Sequence, residues 1–279
     1  MTWILLLFVV LLAFALYFVI YASVQAQIQA LHGATAAPSG TAPPETEAQL
    51  RDTLQTLRPA QVLGFGLSVV SGLGSVLLIV LTASVFGNEF TWGTLRVILA
   101  LGAPREGFLA AKYVAIVLHA TLLTLLGVVT ALAGSEIVSS IAGLDPALPG
   151  TFATDVIVNV GRTVFTFLPY IALAALIAVW SKSAGAGIAI GLVAYFAEGI
   201  VMSVLVAFNT DYATIANLGV SRNVSAVARL AGSTPGGAPP GGAATLPDPG
   251  QAALVLLAYT ALFVGLTIWR FRARDVTSG

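Results

Sequence analysis

The chain has 279 residues, of which 58% are hydrophobic and only 9% charged, and its mean hydropathy is +0.96. A soluble domain carries roughly 25% charged residues, so this surface would not stay dispersed in water and lipid is its natural solvent. Twelve Lys plus Arg balance twelve Asp plus Glu, which excludes the broad basic field of a nucleic-acid binder, and the lack of cysteine excludes disulfides, thiolate nucleophiles and cysteine-ligated metal centres.

A helix needs about 20 predominantly apolar residues to cross the hydrocarbon layer, and six stretches approach that length. They cover residues 3–24, 62–86, 113–135, 160–180, 185–208 and 251–269. The predicted fold is therefore all-α, a polytopic integral membrane protein with six transmembrane helices in a single domain. Val24-Gln25-Ala26 has the small-residue spacing of a signal cleavage site. No Lys or Arg precedes the first run, however, and its apolar length exceeds the about 7–15 residues of a signal core, so it reads as a span.

Basic residues near span ends stay in the cytoplasm. Arg96, Arg105 and Lys112 fall in 87–112, Lys182 follows the fourth span, and Arg270, Arg272 and Arg274 lie at the end of the sixth. The connections 25–61, 136–159 and 209–250 together hold more than twice as many residues and carry only Arg51, Arg58, Arg222 and Arg229. Both termini are thus expected in the cytoplasm, with the protein in the cell membrane.

Of the outer connections, 25–61 opens on a Pro/Ala/Thr/Gly linker, after which Leu50, Leu54 and Leu57 recur at helical spacing among charges. That pattern predicts an amphipathic helix on the membrane surface. In 209–250, Ile215, Leu218, Val220, Val224, Val227 and Leu230 make a similar apolar pattern before a Gly/Pro run. This segment is too broken to span and suits an interfacial or re-entrant element. Gly187-x-x-x-Gly191 is the best candidate for close packing between helices or protomers.

The only lysines are Lys112 after Ala111 and Lys182 after Ser181, so the G-x-x-x-x-G-K-[ST] phosphate loop is missing. His32 and His119 stand apart and cannot form an H-E-x-x-H zinc site. No catalytic residue, metal or cofactor is expected. Ionisable groups within spans are costly and mark function or special structure. Glu198 lies about 24 Å along the fifth helix from Lys182, and Arg162 about 30 Å along the fourth. These depths predict a polar pair between them, closing an outer vestibule or joining the two helices. His119, alone in the third span, would line a polar path or bond a neighbouring helix.

The segment from Ala83 to Lys112 is different in kind. Gly93-Thr94 can open a helix, Leu95, Ile98 and Leu99 form an apolar edge, and Gly102-Ala103-Pro104 ends it. A short helix with such an edge at the cytoplasmic surface asks for a protein partner; the plain alternative is a basic loop that only satisfies topology. Here the sequence resembles the permease subunits of ABC transporters of the ABC-2 type, in which a Glu, a Gly-Thr/Ser-Leu, an Arg after Pro or Ser and a Phe-x-x-x-Lys recur. Glu89, Gly93, Thr94, Leu95, Arg105, Phe108 and Lys112 match that order.

The resemblance implies that 87–112 carries a coupling helix between the second and third spans, seated on a separate ATP-hydrolysing subunit. It further implies a second permease copy or paralogue and export of a substrate. Two features depart from the family. Relatives begin with a basic amphipathic helix, whereas this chain opens on its first span, and Pro104 directly precedes Arg105 where many relatives place it earlier. The rival expectations are an ion-gradient-driven transporter or channel using Glu198, Arg162 and His119 as a relay, and a non-transporting membrane scaffold.

Overall fold

The computed structural model describes residues 58, 59, 61–92, 104–143, 147–231 and 246–273, with residues 11, 14–16, 18–27, 29 and 30 of the first apolar stretch. Every described element is helical. Helix α1 (Phe14–Gln27) precedes α2 (Val62–Trp92), α3 (Arg105–Ala142), α4 (Phe152–Ser181) and α5 (Ala184–Phe208). Short helices α6 (Ala213–Ala216) and α7 (Val220–Ala228), each next to a 3-10 turn, then lead to α8 (Pro249–Arg272).

Five of these helices, α2 to α5 and α8, are long and apolar enough to cross a membrane, and the chain is a multi-pass helical membrane protein. Only part of the expected first span is described. Its Val24 is buried against Ala131 and Val138 of α3. The amphipathic pattern at Leu50 to Leu57, the Gly/Pro linkers and residues 93–103 lie outside the described residues.

The helices overrun the apolar stretches that announced them. Hydropathy marks what lipid covers, whereas a helix continues until something stops it. At about 1.5 Å per residue, the 38 residues of α3 reach about 57 Å, well beyond the hydrocarbon layer. Pro104 fixes its start, and Gly143 ends it in the left-handed region, φ 64°, with its N–H donating to Ser139 O. Asp248 caps α8 by accepting from the N–H groups of Gly250 (2.9 Å) and Gln251 (3.4 Å), with Pro249 in the first turn.

Helix α4 is the centre of the bundle. Of its most apolar 18 residues 61% are buried, against 6% for α5. It packs on α2, α3, α5 and α8, with Phe167, Ile171, Ala174, Ala175 and Ala178 buried along it. Helix α5 instead turns Ile190, Val193, Phe196, Ile200 and Val204 outward, as a helix solvated by lipid does. Trp92, Trp180 and Trp269, all exposed, close α2, α4 and α8 at one end of the bundle, where tryptophans mark a membrane interface.

Hydroxyls inside the bundle mostly answer themselves. Ser75 donates to Ser71 O (2.7 Å), Thr124 to Ala120 O (2.8 Å) and Thr267 to Phe263 O (2.7 Å). Each bonds a carbonyl one turn back, so the polar group costs little when buried in an apolar setting.

Small residues set the helix spacing. A Cβ on Gly187 would lie 2.9 Å from the Cβ atoms of both Ala178 and Ala83, and one on Gly191 would lie 2.9 Å from Ile79 Cγ2. The Gly187-x-x-x-Gly191 face thus seats α5 against α2 and α4 of its own chain. Gly87 of α2 meets the backbone of Ser183 and Ala184 where α5 begins. Gly187→Val is expected to lower stability by about 1–3 kcal/mol through overpacking, read as a lower melting temperature in detergent. Gly72→Ala, whose new methyl would meet nothing within 4 Å, should raise it by roughly 0.5–1 kcal/mol through helix propensity.

Candidate functional site

The end of the bundle that bears Trp92, Trp180 and Trp269 also gathers Glu89, Arg105, Glu106, Lys112, Lys182, Arg270 and Arg272. Val85, Phe86 and Glu89 share one face of α2, and Phe108 and Lys112, four apart, share one face of α3. These faces meet. Lys112 Nζ lies 3.0 Å from Glu89 Oε1 and donates to Val85 O at 2.6 Å. It also sits over the rings of Phe108 (4.8 Å to the centroid) and Phe86 (5.3 Å).

The ammonium is thus held by a carboxylate, a main-chain carbonyl and two aromatic faces, and its side chain is only 11% exposed. That burial separates it from an ordinary surface ion pair, whose value is about 0–1 kcal/mol. Removing one partner of a buried pair leaves the other uncompensated, which costs roughly 3–5 kcal/mol.

A third helix joins this joint. The Phe108 ring stacks on Phe271 of α8, centroids 6.5 Å apart and planes at 21°. Arg105 Nη1 donates to Arg272 O at 3.3 Å, and Glu106 pairs with the Arg272 guanidinium. Arg270 lies over the Trp180 ring at 5.2 Å, bringing in the end of α4. Glu89, Arg105, Phe108 and Lys112, four of the residues expected from sequence, therefore converge, while Gly93, Thr94 and Leu95 lie outside the described residues.

Glu106, Phe271 and Arg272 belong to the same assembly and were not foreseen as site residues. The separation of 166 residues between Glu106 and Arg272 leaves no local pattern to find them by. Among the described residues no group of three His, Asp or Glu is arranged to hold a metal. The arrangement joins the ends of α2, α3 and α8 through an ion pair, cation–ring contacts and a stacked aromatic pair.

The expected pair of Arg162 and Glu198 does not form. Arg162 Nη1 donates to Asn159 Oδ1 (2.9 Å) and to Leu230 O (3.1 Å), whereas Glu198 accepts from Ser221. The depths along the helices were compatible, but the segment after α5 folds back and supplies both residues with nearer partners. His119 Nδ1 lies 2.7 Å from Ala115 O of its own helix.

Lys112→Met is expected to lower stability by about 3–5 kcal/mol, since it leaves Glu89 and Val85 O without the ammonium. Glu106→Gln, at a pair whose side chains are 58% and 64% exposed, should change it by less than about 1 kcal/mol. Thermal unfolding of the two variants side by side in the same detergent checks both.

No curated protein and no solved structure matches the chain. One family model does, over residues 59–277, a stretch that contains α2 to α8 complete. The chain belongs to that family, DUF2705, described as proteins of unknown function.

Proposed function

We propose that this protein is the membrane-spanning permease subunit of an ATP-driven ABC exporter of the cell membrane. It would pair with a second permease copy or paralogue and couple to a separate ATPase through the segment between α2 and α3. The observation that carries the reading is the joint of Glu89, Phe108 and Lys112. Glu89 and Lys112, 23 positions apart in sequence and on either side of the segment that resembles a coupling helix, are paired near the ends of α2 and α3 that face it.

Such a joint has a mechanical use. A force on residues 93–103 reaches α2 through Trp92 and α3 through Pro104, and the Lys112 contacts make the two helices respond together. Through Phe271 and Arg272 the motion passes to α8. The spans present few polar groups, which suits an apolar or amphipathic cargo, and the chain has no phosphate loop of its own, which leaves ATP hydrolysis to a partner.

Purification of the tagged chain from the cells that make it is the test. Recovery of an ABC ATPase is expected, reduced on the order of tenfold by Leu95→Asp, as for a charge placed in the apolar centre of an interface, with the elution profile of the permease unchanged. Failure to recover an ATPase, together with vesicle transport that needs no ATP and collapses with the proton gradient, would replace this reading with gradient-driven transport.

A further inference from the structure

We propose that α5 is a lever, hinged near Lys182 and latched at its far end to α7 by Glu198, and that releasing the latch opens the bundle at the end opposite the Lys112 joint. This inference is independent of ATP coupling. It rests on how unevenly α5 is held along its length.

At the Lys182 end, α5 is seated by backbone-close contacts. Gly87 meets the backbone of Ser183 and Ala184, and Gly187 and Gly191 press on Ala83, Ala178 and Ile79. Beyond Gly191 no residue of α5 is buried until Val206. Within that interval, Tyr195 stands edge-on to Tyr170 of α4, centroids 4.9 Å apart, and Glu198 reaches α7.

The Glu198 contact is an N-cap supplied by another helix. Gly219, at the N-cap position of α7, has no side chain to offer. The Glu198 carboxylate takes that role, accepting from Ser221 N–H at 3.2 and 3.1 Å and from Ser221 Oγ at 3.1 Å. A Cβ on Gly219 would collide with Glu198 Oε1, so the bare backbone there is what admits the carboxylate. A negative charge at a helix N-terminus also meets the positive end of the helix dipole.

The rest of α7 is fastened elsewhere. Val224, Ala226 and Val227 are buried in one cluster with Tyr170 of α4 and Ala252 and Leu256 of α8. Tyr259 Oη of α8 donates to Leu218 O just before α7 (3.1 Å), and Arg162 of α4 donates to Leu230 O just after it (3.1 Å). Thus α7 is fastened to α4 and α8 by buried packing, with a base at its carbonyl end, while α5 meets it through the Glu198 carboxylate at its amide end, through Met202 against Gly219 and through half-buried Leu192 and Tyr195 at the edge of the same cluster. When the outer half of α5 swings outward, the Glu198 contact with the amide end of α7 must break.

The test is amide hydrogen exchange on the full chain in lipid nanodiscs. With Glu198→Gln, exchange across residues 219–228 and 192–205 is expected to rise about tenfold while residues 184–191 stay unchanged. An equal rise at 184–191 would make Glu198 a general staple of the fold and overturn the hinge, and no rise anywhere would overturn the latch. If Glu198→Gln does not fold, Ser221→Ala, which removes the hydroxyl's bond and keeps the backbone ones, should give a rise of about threefold in the same regions, and a uniform rise or none again overturns the proposal.

The chain contains no cysteine, which provides a lock. A Cβ on Gly199 would lie 4.0 Å from Ser221 Cβ, within disulfide reach. Oxidised Gly199→Cys/Ser221→Cys should exchange at the unmodified rate even with Glu198→Gln. Fast exchange in the locked chain would also overturn the latch.

Discussion

Lipid offers no hydrogen bonds, so a charge carried into the bundle is answered by another part of the same protein. Most of this molecule's tertiary detail follows from that constraint. Lys112 is answered by Glu89, Val85 O and two aromatic rings. Glu198 is answered by the amide end of α7, and Arg162 by the carbonyl that follows it. Apolar surface is plentiful and can face either lipid or protein, so apolarity alone does not tell one helix arrangement from another. The few polar groups, together with glycines that admit only certain neighbours, do make that distinction.

The two ends of the bundle use this constraint differently. At the Trp180 end, charges and aromatics from α2, α3, α4 and α8 knit helix termini into one block. At the other end a short helix is held across α4, α5 and α8, with partners matched in sign to its own dipole. The first arrangement resists relative motion of the helices it joins. The second leaves α5 tied through a carboxylate where it lacks buried packing.

Much of the fold was legible in the sequence because hydropathy is a local signal. All five long helices coincide with apolar stretches read from the chain, and the Gly187–Gly191 spacing pointed to close packing. Helix ends were less legible, since Phe86 to Trp92 and Arg105 to Lys112 continue helices through a region that hydropathy treats as loop. The joint was half legible: Glu89, Phe108 and Lys112 stood out through their order, but Phe271 and Arg272 meet them across more than 150 residues with no repeating pattern. The proposed partnership of Arg162 and Glu198 failed for a related reason. Depth along a helix gives one coordinate, and the choice of partner depended on where α7 folds back.

Between α4 and α5 the turn consists of Lys182 and Ser183 alone, with Lys182 in the left-handed conformation at φ 56° and Ser183 capping the next helix by accepting from Ala186 N–H. A connection this short cannot let one helix settle in lipid while its neighbour waits in water. The two must enter the bilayer as a single hairpin with one lysine at its tip. Because α5 has so little buried surface of its own, this shared entry also delivers it already beside α4, before α8 has been made.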